Sequence, residues 1–500
     1  MSKKYLYGAS VQGIQGFIMK TNDLKSIIGA SELVDRICTS MFDEYAPRDD
    51  SQTIKRDDSQ TIKNIVRAAG NIKVIFSEQG DCKRAFEEFP KKVMMAAPGI
   101  TISQAVVVFE DDPEHYGTAI DKLEERLRAE RNKPVRPLYP GVIGMARAPK
   151  TGEPAVTERG TVEDKEYVDY ATSRKLDVLS KGKGYGQDYR NLVMRAFGRE
   201  VDDLLIDNDQ LAQGCGWLAV VHADGNGFGQ IVQKLGRDRK LFPELSGKID
   251  QCTQGAFKKA FEDINSPDKY HIRPLVLSGD DVTFICRADI AVPFVKSFLY
   301  HFEEKTKIKL AELAKDVNDD EIKELLCRGL TACAGIAYMK PSYPFYYAYD
   351  LAESLCHAAK VDAKQIKAAP SCLMFYKIQD SIISDWKVMA ARELDYSGGS
   401  YLFGPYYLNK QEGNVLESRW TIDRLESYVE LLKEKNSMKT SLRRWVSAMY
   451  ADKGKAEQLK KRYCLLNPAD EDVFYMLTDT KDGRCPAYDL LTMLVMTKNV

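Results

Sequence analysis

Strand-length apolar runs and helix-length amphipathic stretches alternate along the chain in an order that occurs twice. In the first copy, residues 4–131, a strand at Tyr5–Gln12 leads to a helix at Asp23–Tyr45 and a hairpin at Val66–Phe76. A helix at Cys82–Met95, a strand at Ile100–Phe109 and a helix at Pro113–Asn132 complete it. In the second, an apolar strand opens Trp217–Gln230, a helix follows, and a hairpin lies at Arg273–Arg287. Another helix, a strand at Leu330–Met339 and a helix at Tyr346–Gln365 close the copy. Strand, helix, hairpin, helix, strand is the βαββαβ plan of a ferredoxin-like palm. The expected class is therefore α+β: two palms, residues 1–133 and 206–380, joined by residues 134–205 and followed by a helical region, 381–500.

The polar residues that interrupt these runs differ between the copies. In the second, Asp224 ends an apolar strand, and the turn Ser278-Gly279-Asp280-Asp281 sits at the tip of the hairpin. One strand-end acid and two turn acids, flanked by small residues, are what a pair of divalent cations needs in order to clamp the attacking and leaving oxygens of a phosphoryl transfer. Gly225, Gly227 and Gly279 let backbone approach phosphate without a Cβ in the way. Together with Phe228 and Ser278 they are expected to line the nucleotide. Lys360 and Lys364, one turn apart near the end of the last helix, can reach phosphate oxygens or simply face water. In the first copy Gln12 is expected where Asp224 sits, and Ala69-Gly70-Asn71-Ile72 where the acidic turn sits, so this copy is degenerate and holds no metal.

Composition narrows the partners. The net charge is −1 at pH 7, so nucleic-acid binding has to come from local patches. One such patch is the run from Lys433 to Arg462, with Lys439, Arg443, Arg444, Lys460, Lys461 and Arg462, a candidate RNA or acidic-protein surface if it is not merely a solvated helix face. Eleven cysteines without a CxxC spacing suggest reduced thiols in a cytoplasmic setting, and neither a disulfide framework nor a zinc site is expected. The N-terminal residues read as no signal peptide, and the apolar stretch near Tyr488 is too short to span a bilayer. Residues 134–205 are rich in Pro, Gly and charge, and Lys181–Gly186 reads as a linker segment. An octapeptide, Arg48–Lys55, is repeated at Arg56–Lys63 and reads as a duplicated surface loop.

With these residues in view, the chain resembles a known family. The opening Ser10–Asp35, the segment Pro149–Val156 and the Ser278–Asp281 hairpin are similar to the large polymerase-cyclase subunit of type III CRISPR effector complexes. The resemblance implies a tandem-palm enzyme that joins ATP into cyclic oligoadenylate-type messengers for antiviral defence. It implies two Mg²⁺ or Mn²⁺ ions on Asp224, Gly225, Asp280 and Asp281, and a phosphate-facing Lys360. There are departures. Ser278 stands where the family's hairpin has its first glycine, none of the five histidines is followed by Asp as the family's HD nuclease requires, and residues 134–205 hold no Cys or His for the family's zinc. A reduced or stand-alone relative is therefore expected.

In the leading reading a ribose hydroxyl attacks the α-phosphate of ATP and expels pyrophosphate. Two others stay open: closure of one nucleotide into a cyclic mononucleotide, and a non-catalytic scaffold that binds nucleotide or RNA.

Overall fold

The computed structural model describes residues 3–47, 62–68, 70–133, 144–160, 165–180, 189–199, 207–238, 240–264, 271–379, 385–396, 399–409, 419–478 and 483–497. The tandem octapeptide up to residue 61, Ala69 and the Lys181–Gly186 segment lie outside these. The first palm comprises β1 (Lys3–Gln12), α1 (Ile14–Ile18), α2 (Leu24–Cys38), β2 (Lys63–Ala68), β3 (Asn71–Phe76), α3 (Gln79–Ala96), β4 (Thr101–Glu110) and α4 (Pro113–Arg131). Between the palms lie β5 (Ala155–Gly160), β6 (Lys165–Asp169), α5 (Tyr170–Ser180), α6 (Tyr189–Phe197) and α7 (Asn208–Leu211). The second palm runs through β7 (Leu218–Asn226), α8 (Phe228–Leu235), α9 (Leu241–Asp263), β8 (Ile272–Ser278), β9 (Asp281–Arg287), α10 (Ala288–Leu313), α11 (Asp320–Arg328), β10 (Thr331–Met339), α12 (Phe345–Ala363) and β11 (Cys372–Lys377). The remainder is α13 (Trp386–Leu394), β12 (Asp395–Tyr396), β13 (Gly399–Ser400), β14 (Tyr406–Tyr407), α14 (Ile422–Glu434), α15 (Asn436–Ala451), α16 (Lys453–Leu466), α17 (Glu471–Thr478) and α18 (Ala487–Met496).

The two sheets have the same core order. In the first it is β2-β3-β1-β4; in the second, β8-β9-β7-β10 is extended by β11, which is parallel to β10, and then by β14. Alternation along each strand assigns the faces. Val221 and Phe284 pair across β7 and β9 and point to one side, where the Phe284 ring meets Phe257 of α9 and Phe294 of α10. Burying each such ring is worth roughly 1.5–3 kcal/mol, which makes this the face that holds the layers together. His222 and Asp224 point to the other side, toward α12. There the backbone of β10 and α12 approach so closely that a Cβ on Gly335 would lie 1.9 Å from the Ala352 carbonyl oxygen.

Register corrects the sequence reading of the first copy. Asp224 pairs with Asp281 on one side and Cys333 on the other. The first-palm residue with the matching neighbours is Ser10, which pairs with Asn71 and Ser103. Gln12 pairs with Thr101, as Asn226 pairs with Thr331, so it stands two residues beyond the Asp224 position. The hairpin shifts as well: Asn71 occupies the place of Asp281 and Gly70 that of Asp280. A shared hydrogen bond agrees, since Val11 N–H donates to the Gly70 carbonyl as Gly225 N–H donates to that of Asp280. The absence of acids from the matching positions of the first copy is unaffected.

Residues 134–205, read as a linker or small domain, carry folded elements among their described residues. The β5–β6 hairpin leads into α5, whose Lys175 carbonyl would be 2.1 Å from a Cβ on Gly29 of α2. Arg195 of α6 pairs with Asp35 of α2 at 2.8 Å. The helical C-terminal region also returns a strand, β14, to the edge of the second palm. No described helix is long and apolar enough to cross a membrane.

Gly335→Ala is expected to force β10 and α12 apart, because backbone cannot yield as a flexible side chain can. Destabilisation of about 1–3 kcal/mol, measured by denaturant unfolding, is the expected result, and an unchanged midpoint would contradict the close approach.

Candidate functional site

The acids are brought together by a register, not by a single loop. Asp224 and Asp281 are direct partners on antiparallel strands, roughly 4.5–5.5 Å apart at Cα. The intervening turn swings Asp280 back over β7, where Gly225 is obligatory in a physical sense. A Cβ there would lie 2.9 Å from the Asp280 Cβ and 3.0 Å from its Oδ2. Gly279 and Gly227 have positive φ, +63° and +82°, and let the turn reverse and α8 begin.

Crowding sets the electrostatics. Burial, and then the charge of Asp224, push both the Asp280 and Asp281 carboxyls up to about 7. Nearby Asp281 further raises Asp280, and Glu353 further raises Asp281. The Asp281 Oδ1 atom is shielded and accepts no hydrogen bond; His222 Nδ1 lies 3.5 Å from it and is taken up by Thr283 Oγ1 at 3.1 Å. Burial pushes the His222 imidazole down, toward the neutral form. Lys360 from α12 is the nearby cation. Its ammonium donates to Asp224 Oδ2 and, at 2.9 Å, to the Gly225 carbonyl. Those are two of the groups the sequence assigned to metal.

An acceptor without a donor, two carboxyls held above their usual range and a backbone carbonyl met by the Lys360 ammonium make an oxygen donor set that suits hard cations such as Mg²⁺ or Mn²⁺. Asp224, Asp280, Asp281 and Gly225 are the residues that would hold them.

Two cavities lie beside these acids, one lined by Asp281 and the other by Asp224. One, about 550 Å³, lies between the palms. It is lined by Gly13, Gln15 and Gly70 of the first palm, Arg195 of the inter-palm segment, and Ser278, Asp281 and Tyr349 of the second. The other, about 610 Å³, lies outside α12 and includes His222, Asp224, Glu353, Lys360 and Trp386. A further cavity of about 920 Å³ follows the outer edge of β4, remote from the acids.

The remaining predicted residues are not gathered here. Lys364 caps α12 in solvent and lines neither cavity at the acids. Phe228 is packed against the core at the start of α8. Lys460, counted in the basic run, is buried with its ammonium 4.3 Å from the centre of the Tyr475 ring, whereas Arg443, Arg444, Lys461 and Arg462 are exposed.

Sequence reasoning missed Glu353 and Tyr349, which lie seven and eleven residues before Lys360 on α12. That helical spacing was legible and could have found them. Gln15 of the first palm donates to the Tyr349 hydroxyl at 2.9 Å, so the first palm touches the site directly. In the first palm, Arg131 of α4 donates to Ser10 Oγ at 3.2 Å, as Lys360 does to Asp224. The degenerate copy keeps a cation and lacks the anions.

Residues 217–368 match the family model described as Cas10/Cmr2, second palm domain. No curated protein matches the chain. Among solved structures, the chain is similar to that of an apo Csm1–Csm4 cassette, with 14% identity, a TM-score of 0.57, and 99% of this chain and 70% of that chain covered. The same cassette with AMPPNP gives 15% identity, a TM-score of 0.53 and coverage of 99% and 70%. With pppApApA the values are 14%, 0.54, 99% and 69%. Residues 217–368 thus form a Cas10/Cmr2-type palm, and the chain as a whole has a Cas10-like fold of palms and helical segments.

Because Asp280 and Asp281 hold protons up to about pH 7, cations must displace those protons in order to bind. Mn²⁺ affinity is expected to fall by roughly ten- to a hundredfold between pH 8 and pH 6. The metal-free chain should change in the opposite sense. A carboxyl whose folded-state pKa is raised binds more protons folded than unfolded, so this contribution to stability grows as pH drops from 8 to 6. Calorimetric Mn²⁺ titration and melting curves check both signs, and Asp280→Asn with Asp281→Asn should flatten both trends.

Proposed function

We propose that the chain is a metal-dependent nucleotidyltransferase that joins ATP, with loss of pyrophosphate, into cyclic oligonucleotide messengers of an antiviral defence system. The observation that carries this reading is the convergence of Asp224, Asp280 and Asp281 with Lys360 beside a cavity of about 550 Å³ between two palms. The Cas10/Cmr2 match supports it, and complexes of the similar cassette with AMPPNP, pppApA and pppApApA support ATP as the substrate. When bound, two Mg²⁺ or Mn²⁺ ions supply acidity for an attacking ribose hydroxyl and neutralise charge on the leaving pyrophosphate.

The chain's own residues do the rest. The oxygen of the hydroxyl bonds to the α-phosphorus as the bond to the bridging oxygen breaks, and the reaction requires the two nucleotides to be held in line. Lys360 offers a charge-assisted donor to any phosphate at Asp224. Gly225 admits Asp280 beside Asp224, and Ser278 lines the neighbouring cavity together with Asp281. The asymmetry between the palms favours joining two nucleotides over closing one on itself. One half offers Asp224, Asp281 and Lys360; the other offers Ser10, Asn71 and Arg131 at the matching positions. The exposed cations of α15 and α16 suit RNA or an acidic protein as a partner.

Incubation with labelled ATP and Mn²⁺, with products identified by mass spectrometry, separates the readings. Cyclic oligomers fit the proposal, a cyclic mononucleotide would replace it, and no product with or without RNA would leave a binding scaffold. Asp280→Ala with Asp281→Ala should abolish pyrophosphate release without loss of fold. Lys360→Ala should weaken ATP use by about 1.5–3 kcal/mol, on the order of ten- to a hundredfold, with Lys364→Ala unchanged. Equal losses for the two lysine variants would mean that the placement of Lys360 at Asp224 is not what matters.

A further inference from the structure

Between Asp280 and the rest of the molecule stands one residue that packing does not hold. Gly279 has φ +63°, and a Cβ built on it would meet nothing within 4 Å. The turn is also under load, because three carboxylates are crowded at its base and repel one another. The main-chain link from the turn to β7, Gly225 N–H to the Asp280 carbonyl, is long at 3.3 Å.

What grips the turn comes from α9. Asp250 Oδ1 accepts the Gly279 N–H at 3.1 Å, and Thr253 Oγ1 donates to the Gly279 carbonyl at 2.5 Å. Both peptide groups that flank Gly279 are thereby tied to one helix. Residues at i and i+3 share a helix face, so α9 meets the turn as a two-point clamp. A third residue of that face steadies the first: Gln254 Nε2 donates to Asp250 Oδ2 at 2.6 Å. With both oxygens engaged, Asp250 holds the turn and does not join the metal-binding acids.

The clamp is itself anchored. Thr253 is fully buried, and one turn further along α9 Phe257 sits against Phe284 of β9 and Phe294 of α10. The charges that face Asp250 are those of Arg195, on α6, and Asp35, on α2, themselves paired at 2.8 Å.

We infer that Asp250 and Thr253 are positioning residues for the acidic turn, fixing through Gly279 where Asp280 and Asp281 stand against Asp224. The inference rests on the reading of that turn as a cation-binding element.

The test uses the full chain and two readouts. Hydrogen exchange of the peptide that spans residues 276–282, followed without metal, reports the turn itself; Mn²⁺ titration reports its consequence. Asp250→Ala and Thr253→Val should each speed exchange by about five- to tenfold and weaken Mn²⁺ binding by a similar factor, as loss of one hydrogen bond implies. Asp250→Asn and Thr253→Ser, which keep an acceptor and a hydroxyl, should restore both. Thr253→Val is nearly isosteric, so it keeps the test valid if Asp250→Ala fails to fold. Unchanged exchange and unchanged Mn²⁺ affinity in Thr253→Val would overturn the inference, as would failure of the conservative pair to restore them. If the unmodified chain binds no Mn²⁺, the metal reading fails by itself. Faster exchange in the variants would still establish the clamp, and unchanged exchange would overturn it too.

Discussion

Three carboxylates forced into one corner of a sheet are the constraint around which the second palm is arranged. The pairing of Asp224 with Asp281 is imposed by strand register, so the two carboxylates stay neighbours even though both side chains are partly exposed. It answers with Lys360 on one side, with proton uptake by Asp280 and Asp281, and with a glycine at position 225 that admits Asp280 at all. Under the proposed function, a divalent cation would displace both the ammonium and the protons. Holding like charges together has a cost that a purely structural hairpin has no reason to bear.

The first palm shows the same framework without the load. Ser10 and Asn71 occupy the matching strand positions, and their hydroxyl and amide meet at 3.3 Å as neutral groups. Arg131 completes the set from α4. The duplication therefore yields one half that attracts cations and one half that offers a cation. Gln15 and Tyr349 join the two across the cavity.

Much of this was legible in the sequence because it is periodic or local. Apolar alternation marked the strands, and the Ser278–Asp281 turn, Asp224 and Lys360 stood out by type and context. The order of elements gave both palms. What the sequence concealed was contact between distant elements. The register of the first palm was misjudged by two residues at Gln12 and by one at the hairpin, because which residues face each other is set by pairing between strands distant in sequence. Asp250 and Thr253 look like ordinary helix residues until the turn they hold is seen. Arg195 belongs to a segment whose composition reads as a connector, yet α5 and α6 pack against the first palm with backbone-level closeness at Gly29. Lys460 carries the same charge as its neighbours, and only packing separates it from the exposed basic face.

The edge of the second sheet has a consequence for synthesis. Tyr406 and Tyr407 supply the outermost strand, and the Tyr407 hydroxyl and Arg419 both bind Asp362, two residues after Lys360, at 2.5 and 2.6 Å. The helix that carries the lysine is thus fastened by residues that leave the ribosome some 50 residues later, by the difference between 362 and 407–419. The strands of the first palm lie close together in sequence, so its sheet needs no residue of the second palm. In the second palm, by contrast, the lysine that pairs with Asp224 gains its fixed frame only after residues 407–419 have joined the fold.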